Sequence, residues 1–232
     1  MSEMEPEGAI LQRDKKTFAI VPRTPVGLVS AEVLEAIARV VRKYKIPIVK
    51  ITSGQRLALV GLEKEQIEPV WRDLGLDIGQ ATALCLHYVQ ACPGNSVCKF
   101  GVDDSLGLGT ELEKTMSGMG FPAKLKVGVS GCPMCCAESY MRDVGLFAKN
   151  KGWTVIVGGN AGARPRIGDV LAVDLPHAAA VALCLKFLHY YQAEGKPRER
   201  SARFVQRLGI EAVKAAVLED GASQDLLGQA EV

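Results

Sequence analysis

Phe121-Pro-Ala-Lys-Leu-Lys-Val-Gly-Val-Ser-Gly-Cys-Pro-Met-Cys-Cys136 carries the two signals that organise this chain. From Lys124 to Val129 charged and apolar side chains alternate at first, the period-two pattern of a strand with one charged face at its start. Lys124 and Lys126 therefore share a face, and an ordinary solvated strand face is their simplest reading. The strand runs into Gly131 and a C-x3-C pair, Cys132 and Cys136, with Cys135 between them. Gly131 and Pro133 suit a loop whose backbone wraps a bound group closely.

Upstream, Cys92-Pro-Gly-Asn-Ser-Val-Cys98 forms a C-x5-C pair, and 33 residues separate the two pairs. Four thiolates from two loops can ligate a [4Fe–4S] cube, one sulfur at each iron corner. A structural zinc site is the alternative, although such sites favour C-x2–4-C spacing; plain burial is the other. Cys135 could replace Cys136 as the fourth ligand on spacing alone. Cys85 and Cys184 lie in the apolar runs Ala83-Leu-Cys-Leu86 and Ala182-Leu-Cys-Leu185 and read as core residues.

The chain has 232 residues, enough for a large core, with seven cysteines. Cysteines in a reducing compartment serve as ligands, nucleophiles or small hydrophobes rather than disulfides. A formal charge of +2 gives no electrostatic case for nucleic acid. The most apolar segment, Val170 to Leu188, is broken by Asp174, Pro176, His177 and Lys186, so no membrane span is expected. An acidic N-terminus without an apolar core argues against a secretory signal. A cytoplasmic protein is expected.

Working outward, Thr17 to Val21 reads as a strand and Val21 to Gly27 as a proline-fixed loop. Ser30 caps a helix through Tyr44, with Val33, Ile37, Val40 and Val41 on one face. Ile48 to Thr52 is extended, Ser53 and Gly54 turn or bulge, and Arg56 to Gly61 continues as strand. An irregular helix from Lys64 to Leu74, containing Pro69, ends at Gly75. This β-α-β-α order predicts a ferredoxin-like α+β unit over residues 1–79, with 1–16 flexible. A second domain spans residues 80–218, followed by a flexible tail, 219–232. In it, Trp153 to Val157 is a strand that enters the loop Gly158-Gly-Asn-Ala-Gly-Ala-Arg-Pro-Arg166, and two helical stretches follow, Pro176 to Glu194 and Pro197 to Leu218. The glycine loop lacks the Gly-Lys-Ser/Thr ending of a phosphate-binding P-loop.

Taken together, these motifs resemble the sirohaem and [4Fe–4S] half of sulfite and nitrite reductases. The resemblance also covers Val49-Lys-Ile-Thr-Ser-Gly-Gln-Arg-Leu-Ala-Leu-Val-Gly61, the Pro-x-Lys-x-Lys strand and the Gly158-Gly159 loop, roughly residues 17 to 210. It implies an α+β fold: a ferredoxin-like N-terminal unit followed by a sirohaem/[4Fe–4S] domain. It implies that Cys92, Cys98, Cys132 and Cys136 hold the cluster, with Cys136 bridging to sirohaem. Lys124 and Lys126 would then meet sulfite or nitrite at the open haem face and help deliver protons. Sirohaem is a polycarboxylate, for which Arg23, Arg56, Arg142, Asn160, Arg164 and Arg166 are candidate partners. The implied reaction is six-electron reduction of sulfite to sulfide, with nitrite to ammonia as the alternative. Without a flavin or nicotinamide module, electrons would come from a separate donor such as ferredoxin.

The chain departs from the family in two places. Gly54 stands where catalytic members carry an arginine, and His87 stands near a second such position. Arg56, two residues on, would share a face with Gly54 on a regular strand and so replace it; His87 would be a titratable donor, or else a helix-face histidine. These departures keep open a non-catalytic iron–sulfur or tetrapyrrole electron-transfer protein, and a zinc-stabilised binding module stands as a third reading. Larger members hold two copies of the two-part unit and this chain has one, which suggests a homodimer.

Overall fold

The computed structural model describes residues 6–79 and 83–218 and divides the chain into two compact units, residues 1–83 and 84–232. In the first unit, strands β1 (Ala9–Leu11), β2 (Phe18–Ile20), β3 (Ile48–Ile51) and β4 (Leu57–Leu62) form an antiparallel sheet in the order β1-β2-β4-β3. Helices α1 (Ala31–Lys43) and α2 (Ile67–Leu74) complete it. The Ser30 hydroxyl accepts the Val33 N–H at 3.3 Å, which satisfies one donor at the start of α1. Ile37 and Val40 of α1 pack with Val70, Trp71 and Leu74 of α2 against Phe18, Ile20, Leu59 and Leu62 of the sheet. Pro69 falls in the first turn of α2, where a missing N–H costs little. Gly75 ends that helix in the left-handed conformation, φ 62°.

Two expectations for this unit are corrected. Residues 9–11 are a strand paired with β2, not part of a frayed arm. Residues 52–55 form the turn expected at Ser53 and Gly54, and it is tight: Gln55 has φ 58° and its N–H bonds to Thr52 O at 3.1 Å. The same-face argument linking Arg56 to position 54 therefore fails. Arg56 is buried, and Arg23 is half-buried with its N–H on Asp77 O at 3.2 Å. The remaining predicted tail, 219–232, lies outside the described residues.

The second unit is built on five strands in chain order: β5 (Leu86–Ala91), β6 (Leu125–Ser130), β7 (Val144–Lys149), β8 (Gly152–Val157) and β9 (Asp169–Leu175). β5, β6 and β7 are parallel, while β8 and β9 continue antiparallel. Helices α3 (Ser105–Thr115), α4 (His177–Glu194), α5 (Ser201–Leu208) and α6 (Ile210–Leu218) surround the sheet. Leu108 and Leu112 of α3, Phe187 and Leu188 of α4, and Val127, Val129, Leu146 and Val155 of the sheet are essentially fully buried. Gly209 separates α5 from α6, so the last predicted helical stretch is two helices. Among the described residues no helix is long and apolar enough to cross a membrane.

Candidate cofactor site

Both cysteine pairs leave the same end of the parallel sheet. β5 and β6 run side by side with Ala91 opposite Val129, Cys92 directly follows β5, and Cys132 comes two residues after β6. The carboxyl ends of parallel strands are where such sheets bind ligands. Backbone hydrogen bonds join the two loops: Cys92 N–H donates to Val129 O at 3.1 Å, and the N–H groups of Val102 and Asp103 donate to Gly131 O at 2.7 and 3.2 Å. Glycine makes this approach feasible. A Cβ on Gly131 would stand 2.7 Å from the Cα of Gly94, and one on Gly101 would stand 2.5 Å from the Asn95 nitrogen.

The Gly131 N–H also donates to Cys92 Sγ at 3.1 Å, the kind of backbone donor that supports a thiolate. Cys132 is buried, Cys92, Cys98 and Cys135 are half-buried, and Cys136 is exposed. Cys135 turns away from a regular path at φ 51°, and burial, followed by the neighbouring thiols of Cys132 and Cys136, pushes its thiol up. Among the described residues no three His, Cys, Asp or Glu side chains converge at the spacing of a single ion. A four-iron cube instead takes one thiolate at each corner, so its sulfurs stand apart around a centre. The all-thiolate donor set and the glycine-lined approach fit such a group. Cys184 is fully buried, with its thiol pushed up to about 12, which makes it the inert core residue expected from its apolar run. Cys85 is only half-buried, at an isolated bridge to Gly120.

The two lysines fall where their alternation placed them. Leu125, Val127 and Val129 are fully buried on one side of β6, while Lys124 and Lys126 are half-buried on the other. Lys126 Nζ lies 5.8 Å from the centre of the Tyr88 ring, and the Arg142 guanidinium lies 5.6 Å from it. Burial lowers the Lys126 pKa, aided by Arg200, Arg142 and Lys124 and opposed by Asp143. His87 is not on a helix. It lies in β5, half-buried, at an irregularity in the β5–β6 register, with its ring 5.6 Å from that of Tyr88.

A buried carboxylate ties this strand to a second feature. Asp143 accepts the Lys126 N–H at 2.9 Å, two guanidinium bonds from Arg200 at 2.6 and 3.2 Å, and the Ser201 hydroxyl at 2.6 Å. Burial pushes its carboxyl up, and these four donors oppose that shift. Arg200 in turn lines a cavity of about 760 Å³ together with Asn160, Arg164, Arg166, Arg198 and Arg203. Asn160 and Arg166 close the glycine loop as a bridge, their backbones exchanging bonds of 2.9 and 2.8 Å. Arg166 is braced on Gly158 O at 2.8 Å and Asp169 at 2.5 Å, and Asn160 holds Arg164 O at 2.7 Å. Five arginines around one cavity are a donor set for a polyanion.

Of the residues singled out from the sequence, Asn160, Arg164 and Arg166 line this cavity. Arg142 does not. Buried at 4% exposure, it crosses Gly128 and spends Nη2 on Gln90 at 2.5 Å and Glu138 at 2.8 Å, which makes it an internal brace rather than an open ligand. Arg23 and Arg56 belong to the first unit. Arg198, Arg200, Arg203, Tyr88, Gln90 and Asp143 were missed. The clustered arginines of Arg198-Glu-Arg-Ser-Ala-Arg203 were the available signal; the rest had none.

Residues 83–225 match the nitrite and sulphite reductase 4Fe–4S domain, and residues 10–76 match the nitrite/sulfite reductase ferredoxin-like half domain. The chain belongs to the nitrite and sulfite reductase family. It is 60% identical to an assimilatory-type sulfite reductase of Nitratidesulfovibrio vulgaris over 92% of this chain and 98% of that protein. It is 38% identical to a Bacillus subtilis nitrite reductase [NAD(P)H] over 95% of this chain, but spans only 27% of that relative. In fold it is similar to the Mycobacterium tuberculosis NirA protein (TM-score 0.78, 19% identity), covering 91% of this chain and 40% of that one. It is also similar in fold to dissimilatory sulfite reductase I (TM-score 0.75, 17% identity), covering 87% and 69%.

Proposed function

We propose that this chain is a sulfite reductase of the assimilatory type, reducing sulfite to sulfide with six electrons supplied by a separate carrier. One observation supports the reading most: a continuous path of contacts runs from the arginine-lined cavity through Arg200 and Asp143 to the backbone of Lys126, on the strand that leads into the Cys132 loop. The likeness to a protein named for that activity along nearly its whole length agrees with it. Cys92, Cys98, Cys132 and Cys136 would hold the [4Fe–4S] cluster, and the exposed Cys136 is the thiolate best placed to reach a second group. Asn160, Arg164, Arg166, Arg198, Arg200 and Arg203 would pair with the carboxylates of sirohaem. When bound, these groups supply single electrons and an iron centre for the substrate oxyanion. Lys124 and Lys126 attract that anion, and Lys126 donates protons. Asp143 fixes the backbone of Lys126 and the guanidinium of Arg200 together, so anchor and proton donor move as one.

Lys126→Met should keep the visible absorbance of the loaded protein and lose turnover by about a hundredfold. Because burial lowers the Lys126 pKa, the ammonium form is lost at lower pH than for an exposed lysine, and turnover that needs it falls on the alkaline side. Lys126→Arg keeps its charge and should move that fall to higher pH. A pH–rate profile of each variant checks both outcomes, and unchanged turnover in Lys126→Met removes the lysine from the mechanism.

Nitrite reduction is the second reading, favoured by the likeness to a nitrite reductase. A non-catalytic electron-transfer role is the third, motivated by Gly54 and by the turn that separates it from Arg56. Fully loaded protein that turns over neither anion would establish the third. The single copy of the two-part unit motivates a homodimer, expected as twice the chain mass in light scattering of the loaded protein; a monomer would rule it out.

A further inference from the structure

Ser105 is fully buried where the two cysteine loops meet. It is the first residue of α3, whose start is capped by the Asp104 carboxylate. The Asp103 backbone beside it ties the loops together. Its N–H donates to Gly131 O at 3.2 Å, and its carbonyl accepts the N–H groups of Asn95 and Ser105, both at 3.1 Å. Glycines wall the Ser105 hydroxyl on two sides. A Cβ on Gly94 would stand 2.6 Å from Ser105 Oγ, and one on Gly131 would stand 3.1 Å from it. The hydroxyl is thus held in one place by both loops and by the helix.

One proton on this hydroxyl has two acceptors within reach. Ser105 Oγ donates to Cys92 O at 2.7 Å and lies 3.3 Å from Cys92 Sγ. The Gly131 N–H meets the same sulfur at 3.1 Å. A sulfur bound to iron is a thiolate, which carries no proton and can only accept. Against a ligated Cys92 the Ser105 contact is therefore O–H to sulfur, in competition with the carbonyl. An electron entering a cluster adds negative charge that the ligand sulfurs share, while the carbonyl gains nothing. The sulfur then competes better for the proton, so a donor aimed at it holds the reduced state more firmly than the oxidised one. Among the described residues no hydrogen bond reaches the sulfur of Cys98, Cys132 or Cys136, so the two donors single out one corner.

From this we infer that Ser105 is a positioning residue that tunes the cluster: its hydroxyl pairs with the Gly131 N–H on Cys92 Sγ and raises the reduction potential. The inference rests on the reading that Cys92 is a cluster ligand. The same hydroxyl, through Cys92 O, fixes the backbone from which that ligand projects. Burial keeps water from replacing the donor once it is removed, so its loss is felt at the sulfur.

The test is a redox titration of the loaded full chain. Dithionite, through mediators, supplies one electron to each oxidised cluster, and the reduced cluster is counted by its paramagnetic resonance signal. The readout therefore does not depend on turnover, and iron and acid-labile sulfide are assayed on the same samples. In Ser105→Ala the reduction equilibrium should be about tenfold less favourable, a fall of about 59 mV for one electron. Ser105→Thr keeps the hydroxyl and should titrate with the parent. Equal potentials for Ser105→Ala and the parent would overturn the inference. So would a loaded Ser105→Thr protein whose potential falls as far as that of Ser105→Ala, because packing and not the hydroxyl would be the cause. A folded Ser105→Ala protein that takes up no iron would overturn it in favour of a role in assembly. A parent chain that holds neither iron nor sulfide would refute the cluster reading, and the inference with it.

Discussion

Cys132→Ser should strip most of the iron and acid-labile sulfide from the protein and abolish turnover, whereas Cys135→Ser should leave both. Cluster irons are held by thiolates, and a serine oxygen is a harder and far less acidic donor. Cys132 is buried at the end of β6, in the loop whose Gly131 donates to Cys92, so the loop cannot swing another donor into its place without breaking those bonds. Cys135 differs in that its backbone is left-handed at φ 51°, its thiol is pushed up by burial, and its N–H closes a turn on Cys132 O at 3.3 Å. Serine keeps that turn. Iron and sulfide assays on the two purified variants decide the matter, and equal cluster loss in both would show that Cys135 is a ligand.

The second large effect concerns the fold. Gly145→Ala should destabilise the second unit by about 3 kcal/mol, the upper part of the range for overpacking, because the clash is with rigid backbone. A Cβ there would stand 1.9 Å from the Ser139 carbonyl oxygen and 2.5 Å from its carbon. The short helical turn at 139–141 presses on the face of the sheet at this point. The Ser139 hydroxyl donates to Leu146 O at 2.7 Å and lies 2.9 Å from the Ser130 hydroxyl, in a fully buried pair. Pushing this turn outward also lifts Arg142 off Gly128 and loosens the second cysteine loop. Gly120→Ala is the control, since its Cβ would meet nothing within 4 Å; it should change stability by no more than about 0.5 kcal/mol. Urea unfolding of both variants gives the comparison, and a Gly145→Ala midpoint equal to that of Gly120→Ala would contradict the packing argument.

Local signals were legible wherever a pattern acted on its own neighbours. The Ser30 cap, the Gly75 stop and the Lys124–Val129 alternation all produced the elements they predict, because caps and period-two faces act within a few residues. The paired cysteines, with their glycines and prolines, pointed to the site for the same reason. The failures have physical causes as well. α3 contains Gly107 and Gly109, poor helix formers, and is held by the Asp104 cap and the burial of Leu108 and Leu112. β5 is a short apolar run that periodicity cannot separate from a buried helix, so the sequence leaves a helix face as one of two readings for His87. Arg56 was placed by assuming a straight strand through a segment that turns.

The sequence alone, then, determined the α+β class, the cysteine loops and the shared face of Lys124 and Lys126, since each is written in spacing along a single segment. Only the tertiary structure decided that Arg142 is a brace while Arg198, Arg200 and Arg203 line a cavity with Arg164 and Arg166. It alone decided that Asp143 joins Lys126 to Arg200. Spacing carries no information about which distant segments share a buried carboxylate; that follows from the packing of β6, β7 and the start of α5, where an unsatisfied charge would be too costly to leave.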